Sequence, residues 1–130
     1  MKKYFYLVGL CIFLVSCQEG HIQEHNSNEP TVSLVSPLAE AEYMSGDTIF
    51  IKAIFSDSLE MHEVHLNVKN IQSNKILFNI NEHRHLKSWN LDTFYVIPNE
   101  AINSRYLLEI FATNHGEKET FHETVINIKN

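Results

Sequence analysis

From Thr31 onward the chain alternates apolar and polar residues in short runs, the period of two that predicts half-buried strands. Thr31-Val32-Ser33-Leu34-Val35 alternates and stops before Pro37. The turn residues Ser45-Gly46-Asp47 lead into 48–55, where Ile49, Ile51, Ala53 and Phe55 share one face. Over 62–69, Val64, Leu66 and Val68 alternate with His65, Asn67 and Lys69. Gln72-Ser73-Asn74 turns the chain into a strand over 75–80, and another is expected over 90–97, closed by Pro98-Asn99. Tyr106, Leu108, Ile110 and Ala112 share one face of 105–113. After Asn114-His115-Gly116, the run 120–128 sets Thr124, Ile126 and Ile128 on one side, with His122 beside them.

Seven such runs, about ten residues apart and separated by turn residues, predict an all-β domain: an immunoglobulin-like antiparallel β-sandwich of about seven strands. Only Pro37 to Met44 has the composition for a helical turn, too short to change the class.

The pattern changes before Thr31. Lys2 and Lys3 precede an almost continuous apolar run, Tyr4 to Val15, which at 12 residues is too short to span a bilayer and has the size of a secretory signal. The run ends in Leu14-Val15-Ser16-Cys17, which resembles the lipobox of bacterial lipoproteins. That resemblance implies cleavage before Cys17, a diacylglycerol on its thiol and acylation of the new amino terminus. Two or three acyl chains hold a protein durably at a membrane, where one does so only marginally. Gln18 to Pro30 is polar apart from Ile22 and reads as a tether. The expected organisation is a lipoprotein signal peptide over 1–16, the lipidated cysteine and tether over 17–30, and the sandwich over 31–130. Gln18 is not the aspartate that, in lipoproteins of this kind, marks retention at the inner membrane, so the resemblance implies the outer membrane.

The strand pattern is similar to immunoglobulin-like domains of bacterial envelope proteins. In these a Tyr-x-Leu-x-Ile-x-Ala strand leads through a polar, glycine-containing hairpin into a final strand. Tyr106 to Ala112, Thr113 to Gly116 and Phe121 to Ile128 follow that form. More narrowly, the chain resembles a group of histidine-rich envelope lipoproteins that has no assigned activity. Their usual aspartate near the hairpin is Asn114 here.

Charge and cysteines narrow the partners. Without Lys2 and Lys3, 8 Lys+Arg face 16 Asp+Glu, a formal charge of −8. Such a balance argues against nucleic acid and against electrostatic adhesion to anionic lipid, leaving the lipid on Cys17 as the membrane contact. With Cys11 in the signal and Cys17 lipidated, no disulfide is expected, so the core alone must hold the domain.

Eight histidines remain the candidate chemistry: His21 and His25 in the tether, and His62, His65, His83, His85, His115 and His122 in the domain. In a sandwich of the expected order, the loops near His62, around His83 and His85, and at His115 emerge at one end. His122 near the start of the last strand is expected to join them, whereas His65 alternates to an outer face. His83 and His85 stand two apart in extended chain and point the same way. With His62, His115 or His122 they would make a three- or four-ligand set for zinc or copper, with Glu82 or Glu117 as a carboxylate. Solvated loop histidines, with His62 and His122 as hydrogen-bonded structural residues, are the plainer alternative.

Other chemistry is excluded by pattern. His62-Glu63-Val64-His65 is one residue short of the zinc-protease motif, and no phosphate loop, nucleophile elbow or cysteine nucleophile is present. Trp89, read in the loop after 75–80, is a candidate for stacking on a glycan or protein partner, or else caps the core. The sequence therefore predicts a non-enzymatic, lipid-anchored binding module for an envelope protein or glycan, with zinc or copper binding by loop histidines as the alternative.

Overall fold

The computed structural model describes residues 29–99 and 103–130. Cys17, His21, His25, the signal segment and the tether as far as residue 28 lie outside these residues. The described chain forms eight strands: β1 (Thr31–Ser36), β2 (Ala41–Met44), β3 (Thr48–Ser56), β4 (Met61–Asn70), β5 (Ile76–His83), β6 (Ser88–Val96), β7 (Ser104–Asn114) and β8 (Glu119–Lys129). They make two sheets, β1-β3-β6 and β2-β8-β7-β4-β5. This is the immunoglobulin-like sandwich expected from the alternation.

The inward-facing residues are those the period of two selected. Ile49, Ile51, Ala53 and Phe55 of β3 face Val64, Leu66 and Val68 of β4, Tyr106, Leu108, Ile110 and Ala112 of β7, and Ile126 and Ile128 of β8, all buried. Each of the Val, Leu, Ile and Phe side chains among them contributes about 1.5–3 kcal/mol on burial.

The one departure from the expected strand set is Pro37 to Met44, read above as the only candidate for a helical turn. Ala41–Met44 is instead β2, which pairs in parallel with β8 from Ala41↔Ile126 to Met44↔Lys129. Its sequence AEYM has no β-branched residue to announce a strand. The free edge of β8 decides the matter, and Lys129 and Glu42 form an ion pair at 2.6 Å across the same seam. Arg105 reaches Glu40 at 2.8 Å just before β2.

A turn and a strand pairing set the frame. Gly46 has φ +88°, and a Cβ there would sit 2.9 Å from Asn99 Oδ1, so only glycine fits without displacement. At the other end of the sandwich, Thr31 opens β1 opposite Ser56, the last residue of β3, and its hydroxyl donates to the Ser56 carbonyl at 3.0 Å.

Candidate metal centre

Three connections meet at the end of the sandwich where β3 finishes: the β3–β4 loop, the β5–β6 loop and the β7–β8 hairpin. Backbone hydrogen bonds lace them together. Asp57 N–H donates to Lys87 O at 2.9 Å, Met61 N–H to Leu86 O at 3.0 Å, Arg84 N–H to His62 O at 3.0 Å and His115 N–H to Glu60 O at 3.1 Å. Loops bonded in this way hold their side chains in fixed relation, as a ligand site requires.

Asn114 is the centre of that lacing. It is 2% exposed, and its Oδ1 accepts the N–H groups of Gly116 at 2.9 Å and Lys118 at 3.0 Å. Two donors fix that atom as the oxygen, which turns Nδ2 toward Asp57 Oδ2 at 2.8 Å. The hairpin that carries His115 is thereby pinned to the β3–β4 loop. Glu117, rather than Gly116, takes the left-handed conformation in this hairpin, at φ +57°.

His62 is placed by an irregularity. The β4–β7 ladder shifts register between Met61, opposite Asn114, and Glu63, opposite Thr113. His62 is the extra residue of that bulge, and bulges re-aim the side chain they carry. It stands half-buried between the buried Met61 and Val64 and turns toward the loops instead of the core. Glu63 is the cross-strand partner of His83, the last residue of β5.

Four imidazoles converge as a result. Ring centroids lie 4.4 Å apart for His62 and His83, 4.6 Å for His83 and His85, 4.8 Å for His85 and His115, and 4.9 Å for His115 and His62. His62 and His85 are 6.3 Å apart across the group, and His85 Nδ1 meets His115 Nε2 at 2.8 Å. Two carboxylates flank them. Glu60, His85 and His115 form one trio, and His62, Glu63 and His83 form another; within each, donor atoms lie within 4.8 Å of one another.

Four of the five histidines proposed from the sequence are therefore gathered, and His122 is not. It lies on β8 opposite Ile110, three residues beyond the start of the strand, or about 10 Å along it. Its side chain is on the core-facing side, half-buried, and outside the ring cluster. His65 stays on the outer face, between Asn81 Oδ1 at 2.7 Å and Glu63 Oε2 at 3.2 Å. That contact holds Glu63 in place and lowers its carboxyl below the ordinary glutamate value. Desolvation opposes this, and His62, His65 and His83 add to the lowering.

The carboxylates differ from those expected. Glu82 is engaged by Arg84 at 3.1 Å. Glu117 belongs to neither trio and lines a shallow hollow beside the cluster with His62, Glu63, Thr113 and Glu119. Glu60 and Glu63 take their place, and only a cross-strand register could have pointed to Glu63.

Trp89 also needs correction, because it belongs to β6 and not to a loop. It pairs with Phe55 and stacks on that buried ring at 5.2 Å and 23°. Arg84 also lies over its ring, Cζ 4.8 Å from the centroid. Trp89 thus stands at the edge of the core, packed on Phe55. Tyr95 is likewise stacked inward on Phe78, at 5.3 Å.

No family model matches the chain and no curated protein matches it. Solved structures do share its shape. Against the fibronectin(III)-like modules of Clostridium thermocellum CbhA the TM-score is 0.50 at 17% identity, over 78% of this chain and 47% of that one. The chain thus spans about half the length of that neighbour. A Niemann-Pick type C2 protein from the Japanese carpenter ant gives 0.52 at 11% identity, over 79% of this chain and 91% of that one. A superoxide reductase (neelaredoxin) from Ignicoccus hospitalis gives 0.52 at 6% identity, over 79% and 82%. At such identities the likeness is one of architecture, and by it the chain is an immunoglobulin-like β-sandwich.

Proposed function

We propose that this domain is a non-enzymatic, lipid-anchored envelope protein that binds a transition metal of the zinc or copper class through His62, His83, His85 and His115. The observation that carries the reading is the convergence of these four imidazoles, His62 from β4, His83 from the end of β5, His85 from the β5–β6 loop and His115 from the β7–β8 hairpin. Neutral imidazole is the ligand that zinc and copper share, and loop–loop backbone bonds hold the donors ready. A sandwich without a disulfide gains stability from such a clip, because an ion that binds only the folded chain adds to its unfolding free energy. The anchor belongs to the proposal through Leu14-Val15-Ser16-Cys17. Loss of palmitate labelling in Cys17→Ser would support it, and labelling retained in that variant would remove it.

Thermal melting tests the metal reading. The chain from residue 17 with Cys17→Ser is melted after chelation and then with zinc or copper at about 100 times Kd, where binding adds about 2.7 kcal/mol. The melting temperature should rise by roughly 10–20 °C, given about 4–8 °C per kcal/mol for a domain of this size. His83→Ala/His85→Ala should abolish the rise. An equal rise in that variant, or none in the parent, refutes the reading.

A second reading, recognition of a protein or glycan partner, is favoured by the outer face of β3 and β6 rather than by Trp89. Phe50 and Phe94 are 57% and 59% exposed, face each other in register, and have ring centroids 6.5 Å apart. Exposed aromatics grouped like this are a recognised mark of contact surfaces. Phe50→Ser/Phe94→Ser should abolish capture of such a partner while leaving metal-dependent melting intact.

A further inference from the structure

Beyond the binding of one ion, we infer that the cluster is built for two ions side by side. His62, Glu63 and His83 would hold one, and Glu60, His85 and His115 the other; the inference rests on the metal-binding reading above. Three observations carry it.

The donors separate into two closed sets. Within each trio every pair of donor atoms lies within 4.8 Å, a gap that side-chain rotation closes around an ion with ligand bonds of about 2.0–2.2 Å. His62 and His85, which one four-imidazole centre would have to unite, stand 6.3 Å apart between centroids, against 4.4 Å for His62 and His83 and 4.8 Å for His85 and His115.

The carboxylates are distributed one to each set. A single centre of four neutral imidazoles would leave Glu60 and Glu63 without a role and would carry the full charge of the ion. Two centres of two imidazoles and one carboxylate each use all six side chains, and each carboxylate offsets half the charge of a divalent ion. Three protein ligands also leave each ion an open position for water or for an exchanging ligand.

The two sets also differ in support. Glu63 and His83 are cross-strand partners, and His62 is the bulge residue beside them, so this trio stands on the β4–β5 ladder. His65, itself held by Asn81, steadies the Glu63 carboxylate. Glu60, His85 and His115 instead come from the three connections, joined by the bond from His115 N–H to Glu60 O at 3.1 Å. A site on a rigid ladder loses less freedom on binding than one on loops. The ladder trio therefore fills first and the loop trio second. Across the pair, facing rings are 4.6 Å apart for His83 and His85 and 4.9 Å for His62 and His115, so the ions are near neighbours.

The test is stoichiometry with assignment. The chain from residue 17 carries Cys17→Ser and His21→Ala/His25→Ala, which removes the other cysteine and histidine ligands near the amino terminus. After copper(II) loading and removal of excess, elemental analysis should give two ions per chain. Glu60→Gln/His115→Ala should give one, and so should His62→Ala/Glu63→Gln. Electron paramagnetic resonance should show an isolated copper spectrum at one equivalent. At two equivalents the parent should show dipolar broadening, which neither variant should show. Zinc content in the same set, and the milder Glu63→Gln alone, guard against loss of fold, with circular dichroism as the check. One ion per chain, lost in both double variants, would overturn the two-ion inference while leaving metal binding in place. No ion in the parent would overturn both. Two ions that persist in either double variant would place the metal elsewhere and overturn the inference.

Discussion

Replacing Asn114 by aspartate exchanges one buried amide nitrogen for oxygen, and the structure says where that atom points. In the native chain Nδ2 donates to Asp57 Oδ2 at 2.8 Å, while Oδ1 accepts from Gly116 and Lys118. Asn114→Asp keeps both hairpin bonds but sets two carboxylate oxygens at hydrogen-bond distance with no proton between them. Loss of a bond to a charged group, with both acceptors left unpaired, costs about 1–3 kcal/mol. That corresponds to a fall in melting temperature of roughly 4–24 °C at neutral pH. The deficit should shrink in acid. Like-charge contact raises the folded pKa of one carboxyl above its unfolded value, so the favourable protonated form is complete below that value and is lost as pH rises through the folded pKa. The two carboxyls titrate as a pair. Asn114→Ala removes all three bonds, costs about 2–4 kcal/mol and has no acid recovery. Melts of the three proteins from pH 4 to 8 would decide. An Asn114→Asp variant as stable as the parent at pH 7, or one whose deficit does not change with pH, would refute the assigned geometry.

Three further outcomes are expected. Gly46→Ala should lower stability by about 1–2 kcal/mol, from the left-handed φ and the 2.9 Å approach to Asn99 Oδ1, and an unchanged melt would contradict the turn as described. Phe55→Ala should cost about 3–5 kcal/mol and shift Trp89 fluorescence to the red as the stacked ring gains water; emission at the parental wavelength would refute the capping role of Trp89. Hydrogen bonding from Asn127, then Arg105, holds the Glu40 carboxyl below its usual value against some desolvation. Its contribution is present above the unfolded pKa and fades as pH falls through the depressed folded one. The difference in melting temperature between parent and Glu40→Gln should therefore close on acidification below the ordinary glutamate range, and a constant difference would argue against the contact.

How far the sequence carries can be judged strand by strand. The cores of β3, β4, β7 and β8 were legible because burial on one face imposes alternation, and the buried residues are those that alternate. β2 was not legible, since AEYM carries no β-branched residue and its pairing depends on an edge made by β8, more than 80 residues later. At the site, convergence of His62, His83, His85 and His115 followed from strand order alone. Distance along a strand did not, so His122 was included although it lies well down β8. Glu60 and Glu63 were missed for a related reason. The pairing of Glu63 with His83 is a matter of register, and a bulge at His62 leaves no mark in composition. Trp89 was misplaced because the polar, histidine-bearing stretch before it concealed where β6 begins.

The pairing of Thr31 with Ser56 sets the end of the sandwich at which β1 begins. β1 begins beside the last residue of β3, at the end that carries Glu60, His85 and His115. For the proposed anchor at Cys17, the chain runs from the lipid to this same end. Residues 17–30 reach at most about 50 Å when fully extended and less on average. The histidine cluster would then look back toward the bilayer, with the opposite loops, including Gly46, turned outward. Metal would be exchanged in the narrow layer beneath the domain, with donors embedded in or lying against the same membrane.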